Sequence, residues 1–281
     1  MIRELKHLAV ILGMMATPAF NGLQAAEPSK WIETARSGLW SSKETWEGGA
    51  IPSAGSRVHV REGHTVTYDI KSNETIRAVC ISGVLSFAPD KDTQLNVGVI
   101  KIEATETPVE SGFDCDAHVM EIPEGQPRPA LEVGTPGRPI SAVHTALIRL
   151  TPVAGQDKQS CPAIVCCGGR MDFHGAPLSR AWVKLGATAR KKDANVTLSE
   201  PVTGWRVGDR VIITATHLGR DIGQGTDRLQ TEERLITAIN GNQLTLNEPL
   251  VNEHLGDGEF RGEVANLSRN VIVESAEPNG E

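Results

Sequence analysis

The chain has 281 residues, 39% of them hydrophobic and 22% charged, enough to bury a real core, which excludes a disordered polymer and a disulfide-stapled miniprotein. Its formal charge of −7 excludes the basic surface that non-specific nucleic-acid binding requires, so nucleic acid is not an expected partner. With 28 Gly, 16 Pro, 5 Trp, 5 Phe and 1 Tyr, the composition favours short β segments joined by turns over long helices.

Arg3 and Lys6 precede an apolar run over residues 8–20, and Leu23-Gln24-Ala25-Ala26 supplies small residues for cleavage. Residues 1–25 therefore read as a secretory signal peptide, with an uncleaved anchor or a buried helix as the other readings. Residues 26–37 read as a linker, and no later stretch reads as a membrane span. Strand-length runs then fall at 57–61, 79–87, 95–103, 146–151, 163–167, 181–185, 195–198, 210–214, 243–246 and 270–274. Gly48-Gly49, Gly63-His64, Gly168-Gly169, Val207-Gly208-Asp209 and Asn240-Gly241-Asn242 punctuate them as turns. Pairs of short strands meeting at a bend, as in Val79-Cys80-Ile81 and Val84-Leu85-Ser86-Phe87, predict an all-β fold stacked as an irregular solenoid, with a β-sandwich as the alternative. The Pro-rich, acidic tract 105–138 reads as a long exposed excursion from that scaffold. Five cysteines (Cys80, Cys115, Cys161, Cys166, Cys167) allow one or two disulfides outside the cytosol, with connectivity left open.

Four blocks occur in order: Trp46-Glu47-Gly48-Gly49-Ala50-Ile51-Pro52 with Val58-His59-Val60 and Gly63-His64; Gly169-Arg170-Met171-Asp172-Phe173-His174-Gly175 with Trp182; Trp205-Arg206-Val207-Gly208-Asp209; and Glu263-Val264-Ala265-Asn266-Leu267-Ser268-Arg269-Asn270-Val271. Together they resemble the G8 domain, a glycine-marked extracellular module, over residues 38–274. The resemblance implies an all-β fold of strand pairs, commonly leading into a right-handed parallel β-helix. It also implies a secreted, periplasmic or cell-surface protein; the family includes members that bind and depolymerise hyaluronan. The insert at 105–138 and the pair Cys166-Cys167 depart from the family pattern, and residues 275–281 read as the start of a C-terminal extension.

Glycoside cleavage needs two carboxylates about 5 to 10 Å apart across the bond. The stretch from His217 through Asp221, Asp227 and Glu232-Glu233-Arg234 is the densest ionisable cluster outside the expected strands. Asp221, Asp227 and Glu232 are the catalytic candidates; His217, Asp221 and Asp227 are the candidates for a divalent cation, with a solvated charged loop as the competing reading. Sugar faces stack on exposed indoles, which makes Trp31 and Trp40, flanked by polar residues, the better platforms; Trp46, Trp182 and Trp205 read as core anchors. His174, His217 and His254 complete the candidate substrate-binding set, each with a turn-bonded histidine as the plainer alternative. Arg190-Lys191-Lys192 is the one compact basic run, and Asp209 reads as a turn residue before a strand. No phosphate loop, nucleophile elbow or paired-histidine zinc motif occurs. Two classes remain: an exported module that binds an extracellular polysaccharide or supports a β-helix, and a polysaccharide-degrading enzyme, hyaluronidase-like by resemblance.

Overall fold

The computed structural model describes residues 30–110, 125, 127–217 and 230–277; the expected signal peptide lies outside them. The chain winds as a parallel solenoid. Its first turn holds β1 (Trp31–Glu33) and β2 (Gly38–Leu39); the second holds β3 (Arg57–Val60), β4 (Thr65–Tyr68) and the first half of β5 (Lys71–Ile81). The third turn takes the second half of β5, then β6 (Val84–Phe87) and the first half of β7 (Thr93–Glu103). The fourth takes the rest of β7, then β8 (Ala130–Val133) and β9 (Ala146–Leu150). β10 (Ala163–Cys167) and β11 (Arg170–Phe173) begin the last turn.

Register divides these strands into three parallel faces. On the first, Arg57–Val60 pairs with Ala78–Ile81, and Val99–Glu103 pairs with β10. The second runs in the order β11-β8-β6-β4-β2. On the third, Thr93–Val97 pairs with β9. β5 and β7 run through the corner between the third and first faces, which is why they are twice the length of their neighbours. At that corner a Cβ on Gly98 would come within 2.6 Å of the Arg77 carbonyl of the turn below. Between Ile81 and Val84 the strand predicted over 79–87 is broken at Gly83, where a Cβ would meet the Arg61 and His64 carbonyls at 2.3 Å. Stacked corners leave no room for a side chain there.

Inward residues line up turn over turn. Val66 pairs with Leu85, Leu85 with Leu131 and Leu131 with Met171, while Tyr68 pairs with Phe87 and Val133 with Phe173. Trp46, Trp40, Tyr68 and Phe87 form a chain of ring contacts, each with centroids 5.0 Å apart. This chain closes the first end of the solenoid.

The chain then leaves the solenoid after β11. It builds β12 (Trp182–Lys184), β13 (Asn195–Thr197), β14 (Arg210–Ile213), β15 (Glu232–Asn240), β16 (Gln243–Leu246) and β17 (Glu263–Asn266), and returns as β18 (Val271–Ser275), parallel to β9 on the third face. The excursion is antiparallel, in the order β12-β17-β14-β15-β16-β13. It has its own core around Val183, Leu185, Trp205, Val211, Ile213 and Leu244. The region read as one domain thus holds two hydrophobic cores, and parallel pairing throughout the first excludes the sandwich alternative.

Asn270 ties the excursion back. It is 4% exposed; its amide nitrogen lies 2.9 to 3.2 Å from the carbonyls of Ile140, Ser141 and His144, and its oxygen accepts from Ala176 N at 2.8 Å. Asp209 caps the turn before β14, accepting from Arg206 N at 2.8 Å and from the buried Asn266 amide at 2.7 Å. Two expectations are corrected. The tract 105–138 contains β8, paired to β6 and β11, because its alternating Ala-Leu-Glu-Val places Leu131 and Val133 inward. Glu232 to Arg234 lie in β15, not in a loop.

Candidate functional site

Outward residues of the first face form two columns. Trp31 stands beside Arg57 and Arg57 beside Ala78; Glu33, His59, Cys80 and Lys101 make the second column. Side chains that point out of a sheet ordinarily meet water, yet His59 is 2%, Cys80 1% and Lys101 5% exposed. The cause is the segment after β7, which crosses over them. Ser82 Oγ lies 3.0 Å and 2.9 Å from the Glu103 and Thr105 carbonyls and 3.1 Å from His59 Nε2, and His59 Nδ1 lies 3.4 Å from Glu33. Lys101 Nζ sits 3.2 Å from Glu103. Burial pushes the His59 imidazole below its ordinary value against the pull of Glu33, and pushes the Cys80 thiol up to about 12. Serine, histidine and glutamate follow the order of a nucleophile, its base and the group that orients it. Here the hydroxyl faces main-chain carbonyls at 3% exposure, so the chain of bonds fastens the crossing segment.

Beside this fastening opens a groove of about 720 Å³ whose walls include Trp31, Arg57, Arg77, Glu110, Gln156 and Cys161. Volumes of about 300 to 1,000 Å³ suit small ligands and sugar rings. Two arginines from successive turns converge on one carboxylate: Arg57 Nε reaches Glu110 Oε2 at 2.8 Å, and Arg77 reaches Oε2 at 2.9 Å and Oε1 at 2.8 Å. Burial alone would raise the Glu110 carboxyl, but Arg77, Arg57 and Gln156 hold it below its ordinary value. Arg77 is itself anchored through Nη1 to the Ala154 carbonyl at 2.7 Å. Glu33 and Glu47, which also line the groove, both pair with Arg61. Burial raises the half-buried Cys161 thiol.

The residues singled out from sequence scatter. Trp31 lies on the groove wall, half-buried. Trp40 is 0% exposed, correcting its reading as an open platform: its ring plugs the solenoid end and its carbonyl accepts from Trp46 Nε1 at 2.9 Å. Trp182, read as a core anchor, is 52% exposed, because it falls on the outward side of β12 while Val183 turns inward. Trp46 and Trp205 are buried, as expected. His174 is held through its main chain, donating to Val133 O and accepting from Ile140 N, both at 2.9 Å; its ring lies 3.9 Å from Asp172.

His254 is fully buried in the antiparallel unit, with Nδ1 2.8 Å from Thr214 O and Nε2 3.1 Å from Glu232. Glu232 also accepts from Val251 N at 2.8 Å, from Asn252 N at 2.7 Å and from Arg234. Burial works to raise the Glu232 carboxyl, and these donors together hold it below its ordinary value. Its oxygens are saturated, which is the setting of a structural carboxylate. His217 is half-exposed, 4.0 Å from Glu253. Asp221 and Asp227 lie outside the described residues. Among the described residues no three His, Cys, Asp or Glu side chains are placed to hold a metal ion, and no helix is long and apolar enough to cross a membrane. Arg190, Lys191 and Lys192 are exposed in a loop of the antiparallel unit, away from the groove walls. The Arg57, Arg77 and Glu110 clamp escaped sequence reading. Arg57 and His59 alternate with Val58 and Val60, which marks an outward polar column, but nothing local ties either residue to Glu110, 53 positions away from Arg57.

The model of the G8 domain matches residues 45–186, half of the chain. The chain belongs to the G8 domain family. The matched stretch begins within the aromatic closure of the solenoid and ends just after β12. Human fibrocystin-L is 28% identical over 257 residues, 85% of this chain and 5% of that protein. A G8 domain-containing protein of Dictyostelium discoideum is 26% identical over 245 residues, 85% of this chain and 15% of its own length. The chain therefore spans a small fraction of the G8 relatives it resembles. Among solved structures, the tailspike of Pseudomonas phage phi297 is similar at a TM-score of 0.29 and 12% identity, over 78% of this chain and 23% of the tailspike.

Proposed function

We propose that this G8 domain is an exported structural module whose last solenoid turn seats a neighbouring β-helix. One observation carries the reading. The inward columns that are sealed elsewhere run off the end at Met171, Phe173 and Val273, which are 45%, 38% and 44% exposed. Among the described residues β11 and β18 end their strand orders, and β10 pairs only with β7. A parallel edge with half-exposed core residues is unstable against association unless another coil stacks on it. Export is supported by the leader-like residues 1–25 and by the disulfide at Cys167, since disulfides persist in oxidising compartments. A three-coil parallel β-solenoid fused after Ser275 in register should protect the β11 amides from hydrogen exchange by about 100-fold, and the same fusion shifted by one residue should not. Equal protection in both would sink the reading.

A second reading, polysaccharide binding at the groove, is favoured by Trp31. Its indole N–H has no hydrogen-bond partner among the described residues, and its register neighbour is Arg57. Since Glu33, Glu47 and Glu110 are each paired with arginine, we propose binding without cleavage there. Incubation with labelled glycosaminoglycans and plant polysaccharides checks this: chain shortening that is lost on Asp221→Ala or Asp227→Ala would favour the degrading enzyme instead.

A further inference from the structure

We propose that Arg57 and Arg77 form a carboxylate subsite for a carboxylated sugar, and that Glu110 occupies it as an internal competitor. The proposal rests on the second reading above, that the groove takes a glycan, and adds its charge class and its regulation.

Two guanidiniums from successive strands converge on one point and present a fork matched to a carboxylate. Glu110 fills that fork with both oxygens. The groove left beside it measures about 720 Å³, far more than one carboxylate needs. Its remaining walls suit a sugar ring: the Trp31 indole supplies a flat apolar surface whose N–H has no hydrogen-bond partner among the described residues, and Asp157 and Ser160 supply polar groups at the rim. The grip on Glu110 is electrostatic. Its neighbour Val109 is 51% exposed and adds no sealed apolar contact, so the side chain is held by its two arginine pairs and a hydrogen bond from Gln156. The side chains of Arg57, Arg77 and Glu110 are only 16–17% exposed, so the pairs are largely desolvated and an anion displaces Glu110 only by matching both of its acceptor oxygens, as a ligand carboxylate does. A ligand carboxylate that takes the fork releases Glu110 to water, where it remains hydrated and charged. While Glu110 holds the fork, the apparent affinity is lowered by the fraction of molecules with the site filled.

The test is calorimetric titration of the full chain with trigalacturonate, with galactotriose as the neutral counterpart, and with a blocked peptide of residues 104–110. Glu110→Gln removes the competing charge and should tighten trigalacturonate binding at least tenfold while leaving galactotriose unchanged. Arg77→Ala, and Arg57→Lys, which keeps the charge but loses the fork, should each weaken trigalacturonate at least tenfold. Thermal melts identify any variant that fails to fold; the two arginine variants and the wild type's preference for trigalacturonate over galactotriose then decide. Glu110→Gln binding no tighter than wild type would overturn the proposal, as would binding of the peptide without binding of the sugar. Equal binding of both sugars with no dependence on Glu110 would remove the subsite but keep the glycan groove. Binding of neither sugar would remove both.

Discussion

Trp31 and Trp40 sit nine positions apart in similar polar surroundings, and their environments differ completely. Trp40 closes the solenoid end, so Trp40→Ala should cost about 4 kcal/mol, the range for truncating a buried aromatic ring; Trp31→Ala should cost under about 1 kcal/mol. Urea unfolding of both variants checks the contrast. Glu232 is the second residue whose role follows from its partners. Glu232→Ala strands Arg234 and His254 and should destabilise by about 3 kcal/mol. Its folded carboxyl lies below the ordinary value of 4.5, so its contribution is complete above that value and is lost as pH falls through the folded one. The gap in melting temperature between wild type and Glu232→Gln should therefore stay constant from about pH 6 to 8 and shrink in acid below about pH 4.5. Cys80, buried and raised to about 12, should resist iodoacetamide in the folded protein at pH 8 while the half-exposed thiols react; mass spectrometry after labelling reads this directly.

Elements were legible from sequence where a short β-prone run stands between turn signals. The strands at 146–150, 163–167 and 243–246 were readable to within a residue, because Ala-Leu-Ile-Arg-Leu, Ala-Ile-Val-Cys-Cys and Gln-Leu-Thr-Leu are short β-prone runs bounded by turn signals. β11 was hidden: Arg170-Met171-Asp172-Phe173 alternates, but it sits inside the glycine-rich block that suggested a turn. β15 was hidden by Glu232, Glu233 and Arg234, whose charges read as solvated although Glu232 is buried by partners far along the chain. The groove was illegible for the same reason, since its clamp joins Arg57, Arg77 and Glu110 across turns whose stacking no short window reports. Corners carry their own prediction. Gly83→Val would drive a side chain into two carbonyls of the turn below and should cost at least about 3 kcal/mol, seen as a lowered urea midpoint with an unchanged slope. Asn270→Ala removes the bonds to Ile140, Ser141, His144 and Ala176 and should cost about 3 kcal/mol by the same measurement.

Taken whole, the molecule is a parallel shaft carrying an antiparallel unit on one of its turns, each with its own core. Stacked coils and an all-β composition announced the shaft. The separate unit was not announced, because its strands have the same length and turn chemistry as the coils, and only pairing direction distinguishes them. The return of β18 to β9 has a temporal meaning. Arg149 on β9 pairs with Glu274 on β18, 125 positions later, and a ribosome adding about 5 to 20 residues per second takes on the order of ten seconds to deliver that partner. Through that interval the outer margin of β9 stays bare on the nascent polypeptide, open to a chaperone or to another emerging chain.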